Sequence, residues 1–306
     1  MKRLYSNERQ LTFSNKNHAL DNNDNFSPDG LFLCYDTRYT VWKDAWEELP
    51  AAPIANTKTI EKVALSNGKE TILWSPDSIT NQHGEAAPGV GAASYHPSED
   101  KVIFMSGPDV RDIPNSGYYS LKNRTAIEVS GDGAQYSIRL ECRDIKNKKT
   151  LPGSHRGSTH RDQYSKNGFR IGFTYDDFLN QNYDRTIGFL QESNKAPLNY
   201  THYFSLILRP AQKGFSKAGE LEKAYDDSWI DNAGELKAFI GKVRAVNGRD
   251  YEESLFTAHI PQNIDLSTAN SGSEHEYPTA AKGISITRLT HSKSAKGVVR
   301  GSQCAL

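Results

Sequence analysis

Apolar residues along this 306-residue chain come in short runs, each preceded by a compact polar turn. Phe32 and Cys34 follow Ser27-Pro28-Asp29-Gly30. Val102, Ile103 and Phe104 follow His96-Pro97-Ser98-Glu99-Asp100, and Ile171, Phe173 and Tyr175 follow Ser165-Lys166-Asn167-Gly168. Asp, Asn and Gly accept turn dihedrals that β-branched residues avoid, so each polar stretch predicts a hairpin and each run after it a strand. An aromatic residue precedes each turn, at Phe26, Tyr95 and Tyr164, in equal steps (95 − 26 = 164 − 95 = 69). Arg288-Leu289-Thr290-His291 echoes Gln10-Leu11-Thr12-Phe13 and opens a further partial copy reaching Cys304. No matching turn stands out near residue 233.

Further strand pairs lie between the marked turns, such as the hairpin expected at Ser66-Asn67-Gly68-Lys69, which gives each unit about four strands. Repeated units of this kind predict an all-β fold, a β-propeller of four-stranded TolB/WD-like blades. Residues 1–306 would form a single propeller domain holding about four blades and the start of a fifth, incomplete at its C-terminus. Ala305 and Leu306 align with Ser27 and Pro28, just before a turn, so the natural protein is expected to continue. The stretch SKAGELEKAYDDSWIDNAGELKAFIGK, residues 216–242, is rich in Ala, Leu, Glu and Lys and predicts short helices beginning at Ser216.

Composition narrows the classes. Basic and acidic side chains number 37 each, so no net field draws nucleic acid or anionic lipid, and Lys146-Asn147-Lys148-Lys149 with Arg139 and Arg143 reads as a solvated face. Fifteen Tyr and twelve Phe suit strands. Cys34, Cys142 and Cys304 are too few and too scattered for a disulfide framework or a zinc ribbon. The N-terminus carries no apolar run of signal-peptide length and no segment is long enough to span a bilayer, which makes a cytoplasmic location the expectation.

The ordered set QLTF…NFSPDGLFLCYD, GAASYHPSEDKVIF and GSTHRDQYSKNGFRIGFTYDD resembles TolB-like propeller repeats. Within them it is similar to an uncharacterised bacterial family that in turn resembles oligogalacturonate lyase. The resemblance implies a piece of a seven-bladed propeller acting on uronate-containing oligosaccharides by β-elimination, with a divalent metal (Mn²⁺ or Zn²⁺) bound mainly by histidines. Ser158-Thr159-His160 with Asn167-Gly168 resembles a metal-ligating stretch of the lyases. Here the His-to-Gly spacing is one residue longer (168 − 160 = 8), so either a bulge compensates or Arg161 faces the site. Ala92 stands where the lyases carry a proposed base.

In a propeller the polar segments that lead into the first strands gather at a shared mouth. Alternation would put His160, Asp162 and Tyr164 on one face of their strand and Arg161 and Gln163 on the other. A uronate substrate needs a cation for its carboxylate, a base near the α-proton and an acid near the leaving oxygen. The candidates are His160, Arg161 and Tyr164 for catalysis, His18, Asp24, Arg156 and Asp162 for substrate binding, and His155, His160 and His202 for the metal. The structural alternatives are a histidine that bonds a neighbouring blade at His160, loop caps at Asp36, Asp176 and Asp177, a turn residue at His96 and a packing residue at His291. Two functions follow: a carbohydrate-active lyase or hydrolase, or a non-catalytic propeller binding a protein or glycan. If the site is catalytic, His160 and His202 should share a pocket.

Overall fold

The computed structural model describes residues 8–38, 57–83 and 85–291. Four antiparallel four-stranded sheets follow one another along the chain, each a simple meander with strands paired in sequence order. The first holds β1 (Asn17–Ala19), β2 (Phe32–Arg38), β3 (Thr57–Ala64) and β4 (Glu70–Trp74). A two-stranded ribbon, β5 (Ile79–Thr80) and β6 (Ala86–Ala87), links it to the second sheet of β7 (Val90–Tyr95), β8 (Lys101–Ser106), β9 (Thr125–Ser130) and β10 (Ser137–Arg139). The third contains β11 (Ser158–Tyr164), β12 (Arg170–Asp176), β13 (Thr186–Glu192) and β14 (His202–Leu206). The fourth contains β15 (Leu221–Trp229), β16 (Leu236–Arg244), β17 (Tyr251–His259) and β18 (Ser285–Arg288).

The polar turns close the first hairpin of every sheet by one shared bond. The backbone N–H of Ser27 donates to Phe32 (3.0 Å), His96 to Lys101 (2.9 Å), Ser165 to Arg170 (2.7 Å) and Ile230 to Leu236 (3.1 Å). The last of these is the copy missing near residue 233, and it lies inside the stretch expected to be helical. That expectation is wrong: residues 221–229 and 236–244 are the strands β15 and β16. Lys237, Phe239, Gly241 and Val243 are buried in strict alternation. Facing apolar sheets reward that two-residue period more than local propensity rewards a helix. The Ser66–Lys69 hairpin forms as expected, with the Gly68 N–H on the Ala64 carbonyl (2.8 Å). The partial copy running to Cys304 lies outside the described residues beyond His291.

Each pair of consecutive sheets encloses its own core. Cys34, Ile60, Val90, Tyr95, Val102 and Phe104 pack between the first and second sheets. Ile103, Ala126, Ile171, Phe173, Tyr175 and Phe204 fill the next gap, and Ile187, Phe189, Trp229, Phe239 and Phe256 the third. The second and third sheets are therefore apolar on both faces. Each fully buried side chain of this size contributes roughly 1.5–3 kcal/mol from leaving water. Arg170 stitches the third sheet to the fourth, donating to the carbonyls of Gly234 (2.8 Å), Ile260 (2.9 Å) and Pro261 (2.7 Å).

Candidate functional site

One irregularity recurs in the first strands. Register slips between Gly91 and Ser94 in β7, between His160 and Gln163 in β11, and between Tyr225 and Ser228 in β15. At each slip a non-glycine residue takes the left-handed conformation: Ala92 (φ 58°), Arg161 (φ 57°) and Asp226 (φ 50°). All three stand three residues before the end of their strand. An L-residue pays about 1–2 kcal/mol in that region, so the surroundings must hold it there. Part of the hold comes from Asn22, which is buried. Its amide donates to the carbonyls of Ala92 (3.0 Å) and Asp162 (2.8 Å), joining the bulges of the second and third sheets to the segment after β1. Trp229 adds a bond from its indole to the Gln163 carbonyl (3.2 Å).

The bulges decide which side chains meet. Arg161 reaches Asp21 (3.2 Å) from the first sheet's approach and Asp226 (3.9 Å) from the fourth sheet's bulge. All three side chains keep contact with solvent, at 37%, 24% and 44% exposure. One guanidinium between two carboxylates, supplied by three different sheets, forms an open polar cluster. Lower along the same strands, Asp24 accepts from Gln163 (2.6 Å) and Lys166 (2.8 Å). It borders a cavity of about 370 Å³ whose walls include Ser27, His96, Lys166 and Asn232, one from the turn of each sheet.

The extra residue also breaks the expected alternation. Asp162 points inward, fully buried, with neither carboxylate oxygen hydrogen-bonded. Tyr164 is buried, stacks edge-on against His96 (4.5 Å) and donates its hydroxyl to Glu128. Burial and that carboxylate push its phenol well above the ordinary range. It lines the same cavity as Asp24 and His96, with its hydroxyl engaged by Glu128. His160 is half-buried, with Nδ1 3.4 Å from the Thr174 hydroxyl. Burial, then Arg124, Arg185 and Arg161, hold it well below the usual histidine value, so it is neutral.

The other predicted residues disperse. His155 is fully buried, 3.6 Å from Glu141, tilted against Phe204 (5.3 Å); burial lowers it to about 3, and neither ring nitrogen has a hydrogen-bond partner. Arg156 is fully buried and pairs with Asp177 (3.0 Å), which also accepts from Tyr175 (2.9 Å). That makes Arg156 part of the interior of the third sheet, not a substrate contact, and Asp177 more than a loop cap. His18 bonds Glu70 (3.1 Å) and packs edge-on against Tyr35 (4.9 Å). His202 accepts or donates at Thr201 (2.8 Å), and burial lowers it to about 4.

A metal held by His155, His160 and His202 does not fit. His160 lies on the first strand of the third sheet and His202 on the fourth, three strand spacings or about 14 Å apart before their offset in register is counted. No ion spans that gap with bonds of about 2 Å. Among the described residues no three His, Cys, Asp or Glu side chains cluster to hold one. Sequence reasoning missed Asp21, Asp226 and Lys166. The one signal for the β11 bulge was the extra residue between His160 and Gly168.

A second polar group sits between the second and third sheets. Glu141 accepts from the Ala126 N–H (2.7 Å) and the Thr159 hydroxyl (2.7 Å). Burial raises Glu141 to about 8, helped by the charge of Asp162, and burial raises Asp162 to about 7 against the pull of Thr159 and Arg124.

Residues 89–199, the second sheet and most of the third, match a family model described as "Protein of unknown function (DUF3748)". The uncharacterised protein YidR of Escherichia coli K12 is 26% identical over 311 residues, covering 95% of this chain and 68% of its own length. Among solved structures, the chain is similar to a putative TolB from Agrobacterium tumefaciens (TM-score 0.38, 10% identity, 87% of this chain and 73% of that one). It is also similar to TolB from Acinetobacter baumannii (TM-score 0.35, 14% identity, 77% of this chain), of which it spans 43%. Among the described residues no helix is long and apolar enough to cross a membrane. The likeness to oligogalacturonate lyase rests on the sequence motifs alone.

Proposed function

We propose that the four sheets are blades of a TolB-like β-propeller that binds an oligosaccharide or another small anionic ligand where its first strands converge, at Arg161, Asp21 and Asp226. The observation that carries this reading is the bulge repeated at Ala92, Arg161 and Asp226. Strain repeated at one level of successive strands marks a place where backbone is bent to aim side chains. Arg161 donates to Asp21 (3.2 Å) and would exchange its longer contact with Asp226 (3.9 Å) for a ligand carboxylate, while the two aspartates accept from sugar hydroxyls. Elimination chemistry would need a base and an acid beside the same ligand. Tyr164 is engaged by Glu128 and His202 stands three strands from His160, so binding asks less of these residues than catalysis does.

Calorimetric titration with trigalacturonate, and with a neutral trisaccharide as comparison, tests the reading. The expected result is saturable binding of the acidic sugar, weakened about tenfold or more by Arg161→Ala or Asp226→Ala, in line with loss of a charged hydrogen bond. No binding of either sugar, or equal binding by both variants and the parent, overturns it. Release of unsaturated product, followed by ultraviolet absorbance and abolished by His160→Ala, would instead favour the lyase reading.

A further inference from the structure

A separate pocket of about 530 Å³ opens beside the connector between β14 and β15. Its frame is fixed by backbone bonds: Ala211 donates to Leu221 (2.9 Å), Lys213 to Asn182 (2.9 Å), and Tyr183 forms a bridge with Gln212. Leu208, Leu221, Phe256 and Ile286 make an apolar floor. At the rim Arg209 donates to the Tyr183 hydroxyl (2.6 Å) and lies 5.3 Å from the centre of that ring. Tyr183 is itself held by stacking on Tyr277 (4.1 Å, 29°). Burial would raise its phenol, but the bonds from Arg209 and Gln212 outweigh that and lower it.

Arg209 has no carboxylate partner among the described residues. Glu220, on the same rim, turns one oxygen to its own turn and accepts from the Lys217 N–H (2.7 Å). The result is a guanidinium immobilised on one side by a tyrosine, with donors to spare, above a wall of aliphatic and aromatic carbon. Arginine has five N–H donors in a fixed fork, and one bond to a phenol leaves most of them for a bidentate anion.

We propose that this pocket binds a small amphipathic carboxylic acid, its carboxylate on Arg209 and its apolar body on Leu208, Leu221, Phe256 and Ile286. The volume suits such a molecule, since small-molecule sites run from roughly 300 to 1,000 Å³. The inference is independent of the site at Arg161.

The test uses the whole chain and four probes: octanoate, 3-phenylpropionate, and the primary amide of each. Ligand-observed NMR and calorimetry should show saturable binding of at least one acid, with its amide weaker by about tenfold or more. Arg209→Gln should remove that preference for the acid, and Ile286→Glu should abolish acid binding by placing a like charge on the floor. Arg111→Ala, which removes an exposed cation away from both sites, should bind as the parent does. Arg209 and Ile286 are both exposed, and circular dichroism would verify that the variants fold. Failure of both acids to bind, equal affinity for acid and amide, or undiminished acid binding by folded Arg209→Gln would each overturn the proposal.

Discussion

Asn22 gives the sharpest test of how the first strands are held together. Its side-chain amide is buried and spends both N–H groups on carbonyls of two different sheets, Ala92 at 3.0 Å and Asp162 at 2.8 Å. Its oxygen accepts from the Asn23 N–H (2.9 Å). Asn22→Ala would leave two carbonyls without donors inside the protein. Each unsatisfied group costs about 1–3 kcal/mol, so a loss of roughly 2–4 kcal/mol is expected after partial relaxation. For a chain of this size that corresponds to a fall in Tm of about 3–6 °C. Asn22→Asp is nearly isosteric but turns both donors into acceptors facing carbonyl oxygens, so it should be worse than Asn22→Ala by a further 1 kcal/mol or about that. Thermal unfolding followed by circular dichroism measures both. An Asn22→Ala Tm within a degree of the parent, or an Asn22→Asp variant no less stable than Asn22→Ala, would refute the reasoning, because either outcome means that the amide is not clamping the bulges.

Two further outcomes are expected. The left-handed conformation at Arg161 disfavours any residue with a Cβ, so Arg161→Gly should be more stable than Arg161→Ala by about 1 kcal/mol although both remove the same ion pairs, and the difference in denaturation midpoint reads the backbone strain alone. Burial raises Glu141 to about 8 and Asp162 to about 7, and a carboxyl raised on folding stabilises most below its unfolded value and loses that contribution as pH climbs through its folded one. His155, lowered to about 3, His202, lowered to about 4, and His160 and His96, also lowered by burial, work in the other direction as pH falls through their ordinary value near 6.5. The opposing histidine contribution fades above about pH 7 and leaves the carboxyls dominant towards pH 8. Tm should decline from about pH 7 to about pH 8, and Asp162→Asn should flatten the decline; an unchanged slope would count against a protonated buried carboxyl.

Much of this protein was legible in its sequence because a hairpin turn is a local event. Ser27-Pro28-Asp29-Gly30 and Ser165-Lys166-Asn167-Gly168 specify their dihedrals from their own residues, and the apolar runs after them can only be strands that bury a face. The all-β class, the four-strand unit and three of four copies follow from that alone. The fourth copy was hidden by composition: the Ala, Glu and Lys of residues 216–242 favour a helix until a neighbouring sheet rewards burial at every second position.

The site was decided by tertiary structure. Whether β11 carries a bulge depends on Asn22, 140 residues away, accepting the strain at Arg161 into a network of bonds. That single inserted residue sends Asp162 and Tyr164 into the interior and turns Arg161 towards Asp21 and Asp226. The histidines that looked like one metal centre by their proximity to strands are separated because a meander puts its first and last strands at opposite edges of a sheet. Local chemistry chose the turns and strands, while long-range packing chose which polar groups would face one another.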